Sequence, residues 1–333
     1  MNVMVKKEWI EKGYVDEPVD ETLDLKAEIR QLCKEKDAII LAHYYTVGDI
    51  QDIADFVGDS LALAQKAAKT TADIIVMCGV HFMGETNKIL CPDKKVLVPD
   101  LNATCSLAES CPADRFEEFV KAHPQHTVIS YVNTTAATKA LTDVVVTSSN
   151  AKQIVESFSE DTPIIFGPDK NLGGYINSVT GRNMLLWDGA CHVHERFSVE
   201  KIIELKKQYP EAKILVHPEC KGAVAKLADK VGSTAALLKY AIEQPAKEYI
   251  VATESGILHE MQKSCPDKTF IPAPPSDSNC ACNECNYMRL ITLEKLYNTL
   301  KYEWPEIEVD PAIAEKAIKP INKMLEISEK LGL

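Results

Sequence analysis

The sequence predicts an α/β protein of three similar three-layer αβα domains with parallel sheets, in a pseudo-threefold arrangement around a central metal site. Three observations predict it. Short apolar runs alternate with amphipathic stretches, four landmarks recur roughly every 87 residues, and a cysteine follows the last apolar run of each repeat. β-rich runs followed by helical patterns describe parallel strands covered by helices, for which right-handed crossovers are the rule.

Residues 1–35 read as an N-terminal helical arm. The first α/β domain, 36–120, opens on the apolar run Ala38 to His43, passes Ser60 at the head of the helical pattern Leu61 to Lys69, and continues through Ile74 to Met77 and Gly79 to Lys95 to Val98. The second, 121–205, repeats this with Thr127 to Tyr131, Ser148 ahead of Ala151 to Ser157, Pro163 to Phe166 with Gly167, and Met184 to Trp187. The third, 206–290, has Lys213 to His217, Thr234 ahead of Ala235 to Gln244, Glu248 to Val251 with Thr253, and Thr269 to Pro272. His43, Tyr131 and His217 are 88 and 86 residues apart, and so are Ser60, Ser148 and Thr234, and Gly79, Gly167 and Thr253. Coincidence among generic β-α-β elements would not hold one spacing at all these positions. A C-terminal helical extension, 291–333, shows an apolar stripe of Ile313, Ala317, Ile321 and Leu325 after Pro311. In open parallel sheets, ligands collect beyond the carboxyl ends of strands, so function is expected between the domains.

At 333 residues the chain exceeds one comfortable hydrophobic core. With 46% hydrophobic and 26% charged residues, the whole chain should fold. A formal charge of −12, from 49 acidic and 37 basic residues, argues against nucleic-acid or anionic-membrane partners. Met1 to Asp20 lacks the continuous apolar stretch of a signal peptide, and no later run reaches membrane-span length, so a cytoplasmic location is expected.

Eleven cysteines are many for such a chain, and the odd count fits a disulfide framework poorly. Cys33 and Cys78 lie inside apolar patterns and read as core. Cys105, Cys191 and one of Cys280, Cys282 or Cys285 follow the last run of each repeat and can converge on one axis. Spacing alone leaves two options: a zinc site completed by His192, His194 or His217, or an iron–sulfur cluster held by three thiolates with one iron open. The paired glycines in Asn171-Leu172-Gly173-Gly174-Tyr175 match neither the dinucleotide nor the Walker pattern.

The combined pattern of Leu41-Ala42-His43-Tyr44-Tyr45, Val80-His81-Phe82-Met83-Gly84-Glu85-Thr86-Asn87-Lys88, Thr104-Cys105-Ser106-Leu107, Tyr131-Val132-Asn133, Thr147-Ser148-Ser149-Asn150, Val216-His217-Pro218-Glu219-Cys220 and Cys285-Asn286-Tyr287-Met288 resembles the quinolinate synthase family of NAD biosynthesis. The resemblance runs in order from about Ala38 to Met288. It implies three α/β domains around one [4Fe–4S] cluster whose ligands are Cys105, Cys191 and Cys285. It also implies a transferase that condenses iminoaspartate with dihydroxyacetone phosphate, releasing phosphate and two waters to form quinolinate, with the open iron as Lewis acid. A functional contact with an aspartate-oxidising enzyme that supplies iminoaspartate would fit this chemistry. Many members carry C-x-x-C-x-x-C near the last ligand, whereas this chain has C-x-C-x-x-C, so a disulfide switch at Cys280 or Cys282 does not carry over.

Dehydration needs an acid for the leaving hydroxide and a base for the adjacent proton. Glu219 is the candidate base, and an anionic substrate beside it is expected to raise its pKa. His43, Tyr45, Tyr131 and His217 are candidates to orient or protonate oxygens. Ser60, Ser148 and Thr234, at predicted helix starts, form a candidate anion cradle with Asn133 as an amide donor matching the family's substrate-contacting asparagine. His192 and His194 are expected to shield or hydrogen-bond the metal centre. Two other readings remain open: a zinc-dependent lyase or hydrolase, and a non-enzymatic iron–sulfur sensor.

Overall fold

The computed structural model describes residues 5–277 and 283–333, so Cys280 and Cys282 lie outside the described residues. Helices α1 (Lys7–Lys12) and α2 (Leu25–Glu35) come first. Asp24 caps α2 by accepting the Ala27 amide, and Ile29 and Cys33, one turn apart, form its buried face. The chain then runs one circuit three times. The first is β1 (Ala38–His43), α3 (Gly48–Ile53), β2 (Phe56–Gly58), α4 (Ser60–Lys69), β3 (Ile74–Cys78), α5 (His81–Leu90) and β4 (Lys95–Leu97). The second follows α6 (Ser106–Glu109) and α7 (Ala113–Lys121): β5 (Thr127–Tyr131), α8 (Ala136–Lys139), β6 (Val144–Val146), α9 (Ala151–Glu156), β7 (Ile164–Gly167), α10 (Lys170–Thr180) and β8 (Leu185–Leu186). The third follows α11 (Val199–Gln208): β9 (Lys213–Val216), α12 (Gly222–Ala225), β10 (Lys230–Val231), α13 (Thr234–Glu243), β11 (Glu248–Ala252), α14 (Ile257–Ser264) and β12 (Thr269–Pro272). The chain ends in α15 (Leu293–Tyr302) and α16 (Pro311–Lys330).

Each circuit makes a four-stranded parallel sheet, with orders β2-β1-β3-β4, β6-β5-β7-β8 and β10-β9-β11-β12. A repeated carboxylate sets the edge strand in each. Asp55 accepts the Ile40 amide at 2.7 Å, Asp143 the Val128 amide at 2.8 Å, and Asp229 the Ile214 amide at 2.8 Å. Each of these aspartates also donates its own amide to the carbonyl of the same strand residue at 2.9 Å. The three aspartates keep the 88- and 86-residue spacing.

Strand alternation sends side chains to both sheet faces. In the first sheet Ile40, Ala42, Ile74, Val76 and Cys78 pack with Ile29 of α2 and Leu296 and Leu300 of α15. Leu41, Ile75 and Met77, on the opposite face, are buried beneath α4 and α5. In the third, Ile214, Val216, Ile250 and Ala252 pack with Ile202 and Leu205 of α11. In the second, Val128 and Ile165 pack with Phe116 of α7. On its other face Gly173 lets α10 approach the sheet: a Cβ there would sit 2.6 Å from Leu186 and 2.9 Å from Phe166. The paired-glycine stretch is therefore helix–sheet packing. Each sheet is the middle layer of an αβα sandwich, and each fully buried aliphatic side chain contributes about 1.5–3 kcal/mol.

The chain divides into two compact units, Met1–Cys105 with Asn286–Glu315, and Ser106–Cys285 with Lys316–Leu333. The first holds one sheet, α2 and α15. There Glu303 binds Lys36 at 2.7 Å and Lys95 at 2.5 Å, tying the end of α15 to α2 and β4. Lys88, in α5, bonds the Lys94 carbonyl and Glu306 and so serves structure. The second unit holds the other two sheets and most of α16. The buried side of α16 is Ala317, Pro320, Ile321, Met324 and Ser328, with Leu325 only half-buried. Ser328 accepts the Asn150 side-chain amide at 2.9 Å, an attachment the apolar stripe did not reveal.

In every sheet the two central strands send their connections to opposite edges, which opens a crevice at their carboxyl ends. His43, Tyr131 and His217 end or follow the first central strand of each circuit. Gly79, Gly167 and Thr253 end or follow the second.

Candidate functional site

After the first strand of each circuit the chain takes the same two-residue step, from His43 to Tyr45, from Tyr131 to Asn133 and from His217 to Glu219. The Tyr45 amide donates to His43 Nδ1 at 3.2 Å, and the Glu219 amide to His217 Nδ1 at 3.4 Å. Nδ1 is thus the acceptor in both rings, and the neutral imidazole carries its proton on Nε2. The Tyr45 ring stands edge-on to His43 with centroids 4.5 Å apart. Arg289 Nη1 donates to the Tyr45 carbonyl at 3.4 Å.

In the second unit, Glu219 is the centre of a buried network. Tyr131 donates its hydroxyl to Glu219 Oε1 at 2.6 Å. His194 Nδ1 lies 3.1 Å from Glu219 Oε2 and 3.2 Å from Cys191 Sγ, and its Nε2 lies 2.8 Å from Thr253 Oγ1. These neighbours place a proton on His194 Nδ1, facing the carboxylate and the sulfur. His217 Nε2 reaches Ser148 Oγ at 3.3 Å. The network thus joins Tyr131, Ser148, His217, Glu219 and Cys191, residues drawn from four separate stretches of the sequence.

Burial pushes the Glu219 carboxyl up, but the charge and hydrogen bond of His194, with His217 and Tyr131, outweigh it and hold it at about 2. Donors on both carboxylate oxygens stabilise the charged form and lower the resting pKa, whereas the rise expected beside an anionic substrate concerns the occupied site. Burial, reinforced by the Glu219 charge, pushes the Asp169 carboxyl the other way, well above its usual range. Burial also lowers His192, helped by Arg196 and His194, so this ring is neutral and meets Ser106 Oγ at 2.7 Å through Nδ1.

Ser60 and Thr234 are the first residues of α4 and α13, but they do not cap those helices. Asp59 accepts the Ala62 amide and Ser233 the Ala236 amide, so ordinary capping does not account for the two hydroxyls. Ser148 lies in the turn before α9, where Asn150 Oδ1 accepts the Thr147 amide at 2.6 Å. Its neighbour Ser149 donates to Ser233 Oγ at 2.8 Å. Asn133 Oδ1 is buried without a hydrogen-bond partner among the described residues. A buried acceptor left unsatisfied calls for a ligand or water.

The cysteines divide by exposure. Cys33, Cys78, Cys91, Cys111, Cys220 and Cys265 are buried, whereas Cys105, Cys191 and Cys285 are half-buried. Burial pushes the Cys33 thiol up to about 11 and Cys111 to about 12, which marks them as inert core residues. Buried carboxylates hold two of the three remaining loops. Asp169 caps α10 by accepting the Leu172 amide at 2.7 Å, and the Cys191 backbone N–H lies close enough to its carboxyl to favour the charged form. Glu254 accepts the Cys285 amide at 3.1 Å and the Gly256 amide at 2.6 Å. Cys191 Sγ, His194 Nδ1 and a Glu219 oxygen lie within 4.8 Å of one another, a donor set able to hold a metal.

Sequence reasoning singled out His194 as a neighbour of the metal but missed that it joins Cys191 to Glu219. It gave no role to Asp169 or Glu254. Their signal was an acid three residues past the middle apolar run of a repeat, in Gly167-Pro168-Asp169 and Ala252-Thr253-Glu254.

A family model described as Quinolinate synthetase A protein matches residues 27–326. A quinolinate synthase of Nostoc punctiforme is 58% identical over 306 residues, covering 92% of this chain and 94% of that protein. One of Trichormus variabilis is 57% identical with the same coverage. One of Chloroherpeton thalassium is 55% identical over 92% of this chain and 95% of its own length.

Proposed function

The chain belongs to the Quinolinate synthetase A protein family and is an enzyme of the quinolinate-synthase type, and from that premise we propose that it condenses iminoaspartate with dihydroxyacetone phosphate. The products are quinolinate, inorganic phosphate and two waters. We propose Cys105, Cys191 and Cys285 as the thiolate ligands of a [4Fe–4S] cluster. The donor set fits: among the described cysteines these three alone escape the core, and the other thiols are too buried to serve. When bound, such a cluster supplies a Lewis-acidic iron for a substrate oxygen.

The observation that carries the reading is the chain Tyr131–Glu219–His194–Cys191, which links a charged carboxylate and the Tyr131 hydroxyl through one imidazole to a proposed ligand thiol. Glu219 rests unprotonated and can accept the proton lost in dehydration. An anionic substrate beside it would weaken its hold on negative charge and raise its basicity from the resting value. The Tyr131 hydroxyl and the His217 Nε2–H are placed to give a proton to departing hydroxide. His43 and Tyr45 form the matching pair on the first sheet. Asn133 Oδ1 would accept a hydrogen bond from the substrate, and Ser60, Ser148 and Thr234 would hold its carboxylate or phosphate oxygens.

No helix among the described residues is long and apolar enough to cross a membrane. We place the protein in the cytoplasm, where an aspartate-oxidising enzyme would hand over iminoaspartate, an imine that water hydrolyses, by direct contact.

Anaerobic wild-type protein should form quinolinate, and Glu219→Gln should slow it by about 100-fold or more. Absence of product from cluster-loaded wild type overturns the reading. An unimpaired variant removes Glu219 as base. The compact Cys191, His194 and Glu219 group favours zinc as the second reading. Colourless anaerobic protein with stoichiometric zinc would establish it, and visible absorption with acid-labile sulfide would exclude it.

A further inference from the structure

We infer that Lys139 and Gln51 are positioning residues, each stapling the backbone on both sides of a side chain that faces the substrate. Lys139, the last residue of α8, is 0% exposed, yet its ammonium donates to the carbonyls of Val132, at 2.8 Å, and Thr134. Those carbonyls flank Asn133. Gln51, in α3 and 1% exposed, donates through Nε2 to the carbonyls of Tyr44 at 3.0 Å and Thr46 at 2.7 Å. These flank Tyr45. Gln51 and Lys139 are 88 residues apart, as are Tyr45 and Asn133, so two circuits solve one problem with different donors.

The third circuit shows what replaces the staple. Ala225, 86 residues beyond Lys139, has no donor to offer. There the residue before Glu219 is Pro218, whose ring fixes φ, and the Glu219 carboxylate is itself tied to Tyr131 and His194. Burying an ammonium is costly unless oriented dipoles compensate it. Turning two carbonyls toward Lys139 fixes the 132–133 and 134–135 peptide planes, one on each side of Asn133, whose Oδ1 remains a buried acceptor with no partner among the described residues.

The inference rests on the proposed substrate contact of Asn133. It is tested on full-length, cluster-loaded protein by a double-mutant cycle of Lys139→Met and Asn133→Ala. The readouts are KM and kcat for quinolinate formation, the Kd of added pyridine-2,3-dicarboxylate, and iron content with visible absorption. Lys139→Met should raise KM and weaken dicarboxylate binding by about tenfold with the cluster retained, and should add little to Asn133→Ala. Additive effects, or a lowered melting temperature with unchanged KM and Kd, would overturn it. If Lys139→Met does not fold, Gln51→Met paired with Tyr45→Ala tests the same staple without removing a charge, and additivity there overturns it equally. Wild type that neither makes nor binds the dicarboxylate indicts the functional reading; working wild type with an additive cycle indicts the staple.

Discussion

Cys105, Cys191 and Cys285 are chemically the same as Cys33 or Cys111, and only their surroundings separate them. In reduced, cluster-free protein at pH 7, a maleimide should label those three before the other described cysteines, while Cys33, Cys78, Cys111 and Cys220 react only on unfolding. Mass spectrometry of time points reads this directly, and equal rates for Cys111 and Cys191 would contradict it. The repeat phase singled out Cys105 and Cys191 in the sequence, and apolar neighbours identified Cys33 and Cys78 as core. His194 shows where such reading stops. Its link to Glu219 depends on a ring orientation set by Thr253, a partner 59 residues away that no local pattern connects to it. The low pKa of Glu219 was illegible for the same reason, because it arises from donors on other strand ends.

Strands and helices were legible wherever periodicity carried them: the nine apolar runs of the three repeats all overlap strands, while the short edge strands β2, β6 and β10 had no run to mark them. Hydroxyls before helical patterns were harder to read, since Asp59 and Ser233 take the capping role one residue before Ser60 and Thr234. Glu303 gives the elements a testable tie. Hydrogen bonds from Lys36 and Lys95 hold its carboxyl below the usual range against the opposing effect of burial. A lowered folded-state pKa adds stability that is complete above the unfolded value of about 4.3 and is lost as pH falls through the folded one. Glu303→Gln should therefore lower the urea midpoint at pH 7, and the gap from wild type should close below about pH 4. A gap that persists at pH 3 would show that the tie is not electrostatic.

Among the described residues of the whole molecule, the core and the proposed metal ligands are different residues. The clusters that hold the sheets contain Cys33, Cys78, Cys111 and Cys220 but none of the three half-buried cysteines. Protein stripped of its cluster, or carrying serine at 105, 191 and 285, should keep its far-ultraviolet circular dichroism and a cooperative thermal transition while losing quinolinate formation. Collapse of the secondary structure on iron removal would refute that separation. The two-residue step at the strand ends extends the same logic. It gives the protein three equivalent mounts, fitted with a phenol, an amide and a carboxylate, so that one repeated frame presents three different chemistries at its strand ends.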